Sequence, residues 1–524
     1  MKLKFNILSI ATAAMLGAGL SSCNDWLRVD MEDQVMESTL FSDYKGFRTA
    51  LNGIYISMIS QYTGTFGPAN LDVMAQCWNV SKANSHAQAN WAEFRYGESS
   101  IEQANSNIWN GFYNLLANLN VIIEHTEDDD CPLSGKQYAL MRGESLGLRA
   151  MFHFDLLRLY GPVFAISDQL ECMPYQASSK REILPLLKAC DVLDLIIKDL
   201  DEAAELLKGN DPIITEGSLL EEIVNNGIST YDDSFRQFRM NYYAVQALRA
   251  RAYLWKGDKN TAYQIAKNDI IDAISTEDLT VFPWITKEAV VTEGKPDLVF
   301  STEVMFSLYD SKRTNEFYNT YFIGSLNRAT RLTFFGEDLQ YNSKVSSLYE
   351  SGDIRLNQWV VQEPSDSEKQ EAEQVGSVAP NSLAFLKYSP IETGTSTTGM
   401  EYFRYMVPLV RLSEVYLIAA EGAPSNAEAF ELINTLRAHR YIPDADPTAS
   451  VDDLIFKEMY RETVGEGQIY FFYKRKAMTT MLSGTEADGI FEMALDNYVM
   501  PIPEDELAQR ETNGVTNSDK NTEK

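Results

Sequence analysis

The chain is short of cysteine, histidine and positive charge, and each shortage excludes something. Its 524 residues hold five cysteines, Cys23, Cys77, Cys131, Cys172 and Cys190, and no two stand as CxxC. That removes the usual spacings for zinc and for dithiol redox work. In an exported chain the last four can pair into two disulfides or stay as buried thiols in helices, the second fate fitting Cys190 in particular, and both remain open. The four histidines, His86, His125, His153 and His439, never form HExxH, and no P-loop or GxGxxG occurs. No metal or cofactor is expected. Lys and Arg total 45 against 75 Asp and Glu, a formal net charge of −30. So acidic a surface repels nucleic acid and anionic membranes. Beyond the N-terminus no apolar run reaches the length of a membrane span.

What is present begins with that N-terminus. Lys2 and Lys4 precede an apolar stretch over residues 5–20, too short for a permanent span and suited to a signal peptide over 1–22. It ends in Leu20-Ser21-Ser22-Cys23, which looks like a lipobox, so Cys23 is the candidate lipidation site. Residues 23–40 then form a polar tether, and 41–524 the folded part. Glu127 to Asp130 is an acidic run without calcium-ligand spacing and reads as a solvated turn.

Helical hairpins organise the rest. In residues 241–271, Val245, Leu248, Ala252 and Trp255 make one apolar face. Gly257 suits a left-handed helix end, and Asp258 offers a cap for the next helix. Ala262, Ile265, Ala266, Ile270 and Ala273 make the facing stripe. This is a tetratricopeptide-type unit, which must stack on others to cover its apolar side. Further helices are predicted over 41–59, 105–126, 137–160 and 454–463, around Leu193 to Leu207, and in a hairpin around Leu412 to Arg437. Residues 61–100 read as largely loop, with surface aromatics. Residues 280–405 read as irregular, with short β-like runs such as 298–308. The predicted fold class is mostly α: a tetratricopeptide-like scaffold (about 41–275 and 405–510) and a loop-rich lobe with short β-strands (about 276–404).

The order of several pieces resembles the RagB/SusD family of outer-membrane lipoproteins. They are Cys23-Asn-Asp-Trp-Leu; Phe47-Arg-Thr-Ala-Leu-Asn-Gly-Ile-Tyr55; Leu148-Arg-Ala150 with Tyr160-Gly-Pro162; Asp199-Leu-Asp-Glu-Ala203; Arg411-Leu-Ser-Glu-Val-Tyr-Leu-Ile-Ala-Ala-Glu421; Arg461-Glu462 with Gly465-Glu-Gly467; and Pro501-Ile-Pro503. Gln468 and Tyr470-Phe-Phe-Tyr-Lys474 depart from the family pattern and mark a divergent branch. The resemblance implies a non-catalytic protein, lipid-anchored on the outer face of the outer membrane. It would cap a TonB-dependent SusC-like transporter and bind an oligosaccharide, or in some branches a peptide, before import.

Sugar binding needs rings on loops, to stack on C–H faces, with amides nearby for hydroxyls. Trp78, Asn79, Trp91 and Tyr96, with Tyr318 and Tyr321, are the candidate glycan contacts. On this reading Trp78→Ala or Tyr318→Ala abolishes glycan retention and barely moves the melting temperature. A lipoprotein glycoside hydrolase is the enzymatic alternative. Its one motif, Gly143-Glu-Ser145-Leu-Gly147, matches GxSxG, but no strand precedes it as a nucleophile elbow requires.

Overall fold

The computed structural model describes residues 37–80, 85–180, 182–218, 235–391 and 402–513. The signal peptide, Cys23, most of the expected tether and the tail from 514 lie outside the described residues. So do most of the polar loop expected over 209–236 and the Ser/Thr/Gly stretch near 392–400.

The frame is helical. It runs through α1 (Tyr44–Thr63), α2 (Pro68–Met74), α3 (Ser99–Thr126), α4 (Lys136–Tyr160) and α5 (Ala189–Leu207). It continues with α6 (Tyr242–Lys256), α7 (Lys259–Gln264), α8 (Leu412–Gly422), α9 (Asn426–Ala438), α10 (Val451–Thr463), α11 (Gln468–Arg475) and α12 (Glu504–Thr512). The α6–α7 hairpin forms as its residues dictate. Gly257 adopts φ +87°, and the Asp258 carboxylate accepts from Thr261 N–H at 3.0 Å. The second helix departs from expectation: after Gln264 it widens into a π-helix, Ile265–Ile271. Ile265, Ala266 and Ile270 stay buried, but the extra residue per turn leaves Ala273 outside the helix and exposed. Stacking on α8 is close, because a Cβ on Gly422 would stand 2.3 Å from Lys259 O.

Helix α4 is the axis. Almost every residue from Ala139 to Tyr160 is buried, so it is packed on all sides. Its charged groups are tolerated because each finds a partner. Arg149 grips Asp199 of α5 through bonds of 2.6 and 2.8 Å, and Glu144 accepts from Arg236 at 2.6 Å and from Tyr55 at 3.0 Å. The GxSxG string also belongs to this packing. A Cβ on Gly143 would sit 2.8 Å from Leu207 of α5, and one on Gly147 would sit 2.7 Å from Met240. The glycines let neighbours cross closely. Ser145 is buried in mid-helix and its Oγ has no partner among the described residues, so it has neither the elbow nor the exposure of a nucleophile. Ser145→Ala should leave stability unchanged or raise it by up to about 1 kcal/mol in urea unfolding. A loss larger than that would mean the hydroxyl is used.

His153, also on α4, makes the frame acid-sensitive. Its Nε2 accepts from Gln176 N–H at 2.9 Å, which leaves Nδ1–H to donate to Arg149 O at 2.9 Å. Burial pushes its pKa down to about 3, and the nearby Arg149 charge adds to this. A folded-state pKa below the unfolded one means stability that is complete above about pH 6.5 and lost as pH falls towards 3. Wild type should therefore lose about 2 kcal/mol more than His153→Gln between pH 6.5 and 5. Parallel losses in urea melts at the two pH values would show that His153 takes up its proton in the folded chain as readily as in the unfolded one.

The lobe is built on paired strands rather than one sheet. β3 (Val304–Tyr309) pairs antiparallel with β6 (Met406–Arg411), and β4 (Trp359–Gln362) with β5 (Ser382–Phe385). Two further small ribbons, β1–β2 and β7–β8, are Glu171–Met173 with Leu187–Lys188 and Thr480–Leu482 with Ile490–Glu492. The β-like run at 298–308 is strand only from Val304. Before it, Phe300 takes φ +57° and Ser301–Glu303 is a 3-10 turn. A buried ionic network joins lobe to frame. Arg440 bridges Glu303 and Glu462, Arg355 bridges Asp353, Glu458 and Glu462, and Arg411 bridges Glu462 and Glu466. The aromatic run at 470–474 packs inward as α11.

Other expectations need adjusting. Glu37, expected in the tether, already belongs to the fold: His125 bonds it at 2.9 Å and stacks on Phe41 at 4.1 Å. Cys77 and Cys172 are buried, while Cys190 and Cys131 are half-buried. All four are free thiols, and no disulfide forms among the described residues. The turn at 127–130 is exposed, as its charge predicts.

Candidate functional site

The two loop stretches singled out by their aromatics do meet. Asn79 N–H donates to Thr333 O at 2.8 Å, Ala87 N–H to Ala329 O at 2.7 Å, and Leu332 N–H to Tyr321 O at 2.7 Å. His86 accepts from Gln88 N–H at Nδ1, so Nε2–H donates to Arg331 O at 3.2 Å. Burial keeps that imidazole below its ordinary pKa. Arg331, fully buried, donates to Gly324 O at 2.7 Å and to Ser382 Oγ at 3.1 Å, and so pins the second loop to β5. A third loop, 336–343, joins through buried Lys344, whose ammonium donates to Gln76 O and Ser483 O.

Beneath the loops lies an aromatic floor. Trp78 is ringed by Phe322, Phe385, Phe334 and Trp359, with centroids 5.3, 5.4, 5.5 and 6.3 Å away. It is 1% exposed, and so is no surface ring. The same correction applies to Trp91 and Tyr318, 6% and 7% exposed. The described residues of 61–100 are thus more regular than their Gly, Asn and Ser content predicts. They include α2 and a helical turn, Ala89–Ala92, that seats Trp91. Their rings are needed to fill the lobe, which has no extended sheet to do so. Tyr96 is half-buried, but its hydroxyl donates to Asn497 O at 2.6 Å, away from the other loop.

Tyr321 and Asn79 are the predicted residues left half-exposed beside the joined loops. Tyr318 closes a π-helix, Arg313–Tyr318, that turns directly into the short helix Asn319–Tyr321. Burial raises the pKa of both tyrosines, so their phenols stay protonated donors. The joined loops also carry Gln88, Asn90, Asn319, Asn327, Arg328 and Thr330. Gln76, Ser85, Phe94 and Asn342 all hold left-handed φ values without being glycine, strain that gathers on these loops. Tyr341, 73% exposed on the third loop, was missed. Its place between Gly336 and Asn342 was the available signal. A groove of about 450 Å³ between α1 and α3, lined by Leu40, Ile54 and Val121 among others, touches none of the six predicted residues.

The helical hairpins thus carry a loop-built lobe with an aromatic floor. Comparison with known proteins makes this specific. Residues 25–213 match a SusD-like family model described as starch-binding and associating with the outer membrane. A SusD-like protein of Formosa agariphila is 23% identical over 94% of this chain and 98% of its own. Among solved structures, a SusD superfamily protein of Bacteroides thetaiotaomicron superposes with TM-score 0.65 at 18% identity, over 89% of this chain and 97% of that one. A laminarin-binding SusD-like protein superposes with TM-score 0.59 at 18% identity, over 88% and 97%. The chain is thus similar to SusD-like proteins, in its N-terminal third by the family model and over nearly its whole length by fold.

Proposed function

We propose that this protein binds oligosaccharide at the joined loops and passes it to a SusC-like TonB-dependent transporter. A lipid on Cys23 would hold it at the outer face of the outer membrane. The observation that carries the reading is half-exposed Tyr321, next to Phe322 of the aromatic floor and backbone-bonded to Leu332, whose neighbour Thr333 holds half-exposed Asn79. A pyranose has a C–H face for the ring and a hydroxyl rim for Asn79, Asn319 and Gln88. Trp78, Trp91 and Tyr318 act from below by fixing the loops. The name of the laminarin-binding relative supports the ligand class.

Tyr321→Ala tests this. It should weaken retention on the polysaccharide that the wild type binds by about tenfold or more, the value of one stacking contact. The melting temperature should hardly change. Affinity electrophoresis across a polysaccharide panel, with a peptide array in parallel, reads the result. Undiminished retention would remove Tyr321 from the site, and binding only on the peptide array would replace the ligand class. Co-purification of an outer-membrane barrel with the lipidated chain tests the transporter.

A further inference from the structure

The end of α9 carries a tyrosine where a helix favours glycine. Tyr441 holds φ +60°. Its N–H bonds Ala438 O at 3.1 Å and the next, Ile442 N–H, reaches Arg437 O at 3.2 Å, the closure typical of a helix ended by a left-handed residue. A side chain in that conformation costs about 1–2 kcal/mol. Burial does not offset it, because Tyr441 is 47% exposed. Arg437 and Arg440 of the same turn point inward to buried acids, which leaves His439 and Tyr441 facing out.

A second segment comes up beside this turn. Half-buried Trp284 lies parallel to the His439 imidazole, 4.6 Å away at 13°, with Tyr416 at 5.1 Å and the Arg440 guanidinium 5.4 Å from its ring. Trp284 thus seats His439, and the exposed ring of the group is Tyr441. Three residues after Trp284, Lys287 N–H donates to the Tyr441 hydroxyl at 3.2 Å, and its ammonium stands 5.8 Å from that ring. The Trp284 indole N–H and the His439 ring nitrogens make no hydrogen bond among the described residues. Burial and the neighbouring Arg440 charge keep that imidazole neutral, with one donor and one acceptor.

We propose that Tyr441 and His439, seated by Trp284, form a second saccharide platform that contacts a neutral pyranose independently of the Tyr321 loops. This rests on the glycan-binding reading above. Rings interleaved with unused donors and acceptors match the apolar face and hydroxyl rim of a sugar. A protein-docking face would present a more continuous apolar core. The strained tyrosine is the mark of a ring kept for what it touches rather than for the fold.

Tyr441→Gly separates the two roles, since glycine relieves the left-handed strain. The full chain is run in gels containing starch, laminarin, xylan or pectin. For the polymer that retards the wild type, Tyr441→Gly should weaken retention about tenfold without lowering the melting temperature. Trp284→Ala should do the same for retention, and calorimetry with a short oligosaccharide of that polymer should show unchanged affinity. Unchanged polymer retention in both variants overturns the platform and leaves the Tyr321 site standing. Loss of a protein partner with unchanged polymer retention also overturns it, in favour of protein docking. A wild type that no polymer retards removes the glycan reading itself, and the platform with it.

Discussion

Trp78→Ala is expected to destabilise the fold by about 3–5 kcal/mol, the usual cost of emptying a buried tryptophan site. That reverses the expectation from sequence, in which the ring faced a sugar and its loss spared the melting temperature. The reason is the cage of Phe322, Phe334, Trp359 and Phe385, which comes from three separate parts of the lobe. None of these rings can close the gap without dragging its own strand or loop. Glycan retention should fall too, but in step with loop order. Amide exchange in 76–92 and 319–334 should therefore quicken in the variant. A Trp78→Ala protein that melts with wild type and still loses its glycan would return the ring to the site.

Glu462→Gln is the second large effect. Its carboxylate accepts from Arg355 at 2.9 Å, from Arg411 at 2.9 Å and from Arg440 at 2.6 and 3.1 Å, and all four side chains are essentially unexposed. Burial alone would raise its pKa, but Arg440, Arg355 and Arg411 hold it well below the ordinary carboxylate range. A depressed folded-state pKa means stability that is complete above the unfolded value and lost as pH falls through the folded one. The variant leaves three guanidinium groups short of a buried counter-charge, worth about 3–5 kcal/mol. Because Glu303 and Arg355 belong to the lobe and Glu462 to α10, the lobe should loosen from the frame first. Proteolysis of Glu462→Gln should cut within 276–404 before it cuts the helices. Cleavage spread evenly over the chain would contradict that division.

The frame was legible because its signals are local. The face of Val245, Leu248, Ala252 and Trp255, the Gly257 end and the Asp258 cap each act within a turn or two of the chain. The continuation of α7 as a π-helix was not legible, since the same apolar residues serve either period once Gly422 is packed against Lys259. The candidate site was half legible. Loop position and residue type singled out two stretches, and hydrogen bonds join them. Which ring faces water was not written there. Trp78 and Tyr321 are both aromatic residues in polar loops, and only the strands arriving from elsewhere bury one and leave the other.

By itself, then, the sequence determined the helical hairpins, the absence of a metal-ligand or P-loop motif, and the resemblance to SusD-like proteins that the order of its motifs carries. Tertiary structure alone decided that Gly143 and Gly147 serve a helix crossing, that Trp78 is floor and Tyr321 is surface, and that Glu462 gathers three arginines. Periodicity and capping are properties of neighbours in the chain. Burial is a property of neighbours in space, and those are supplied by segments hundreds of residues away.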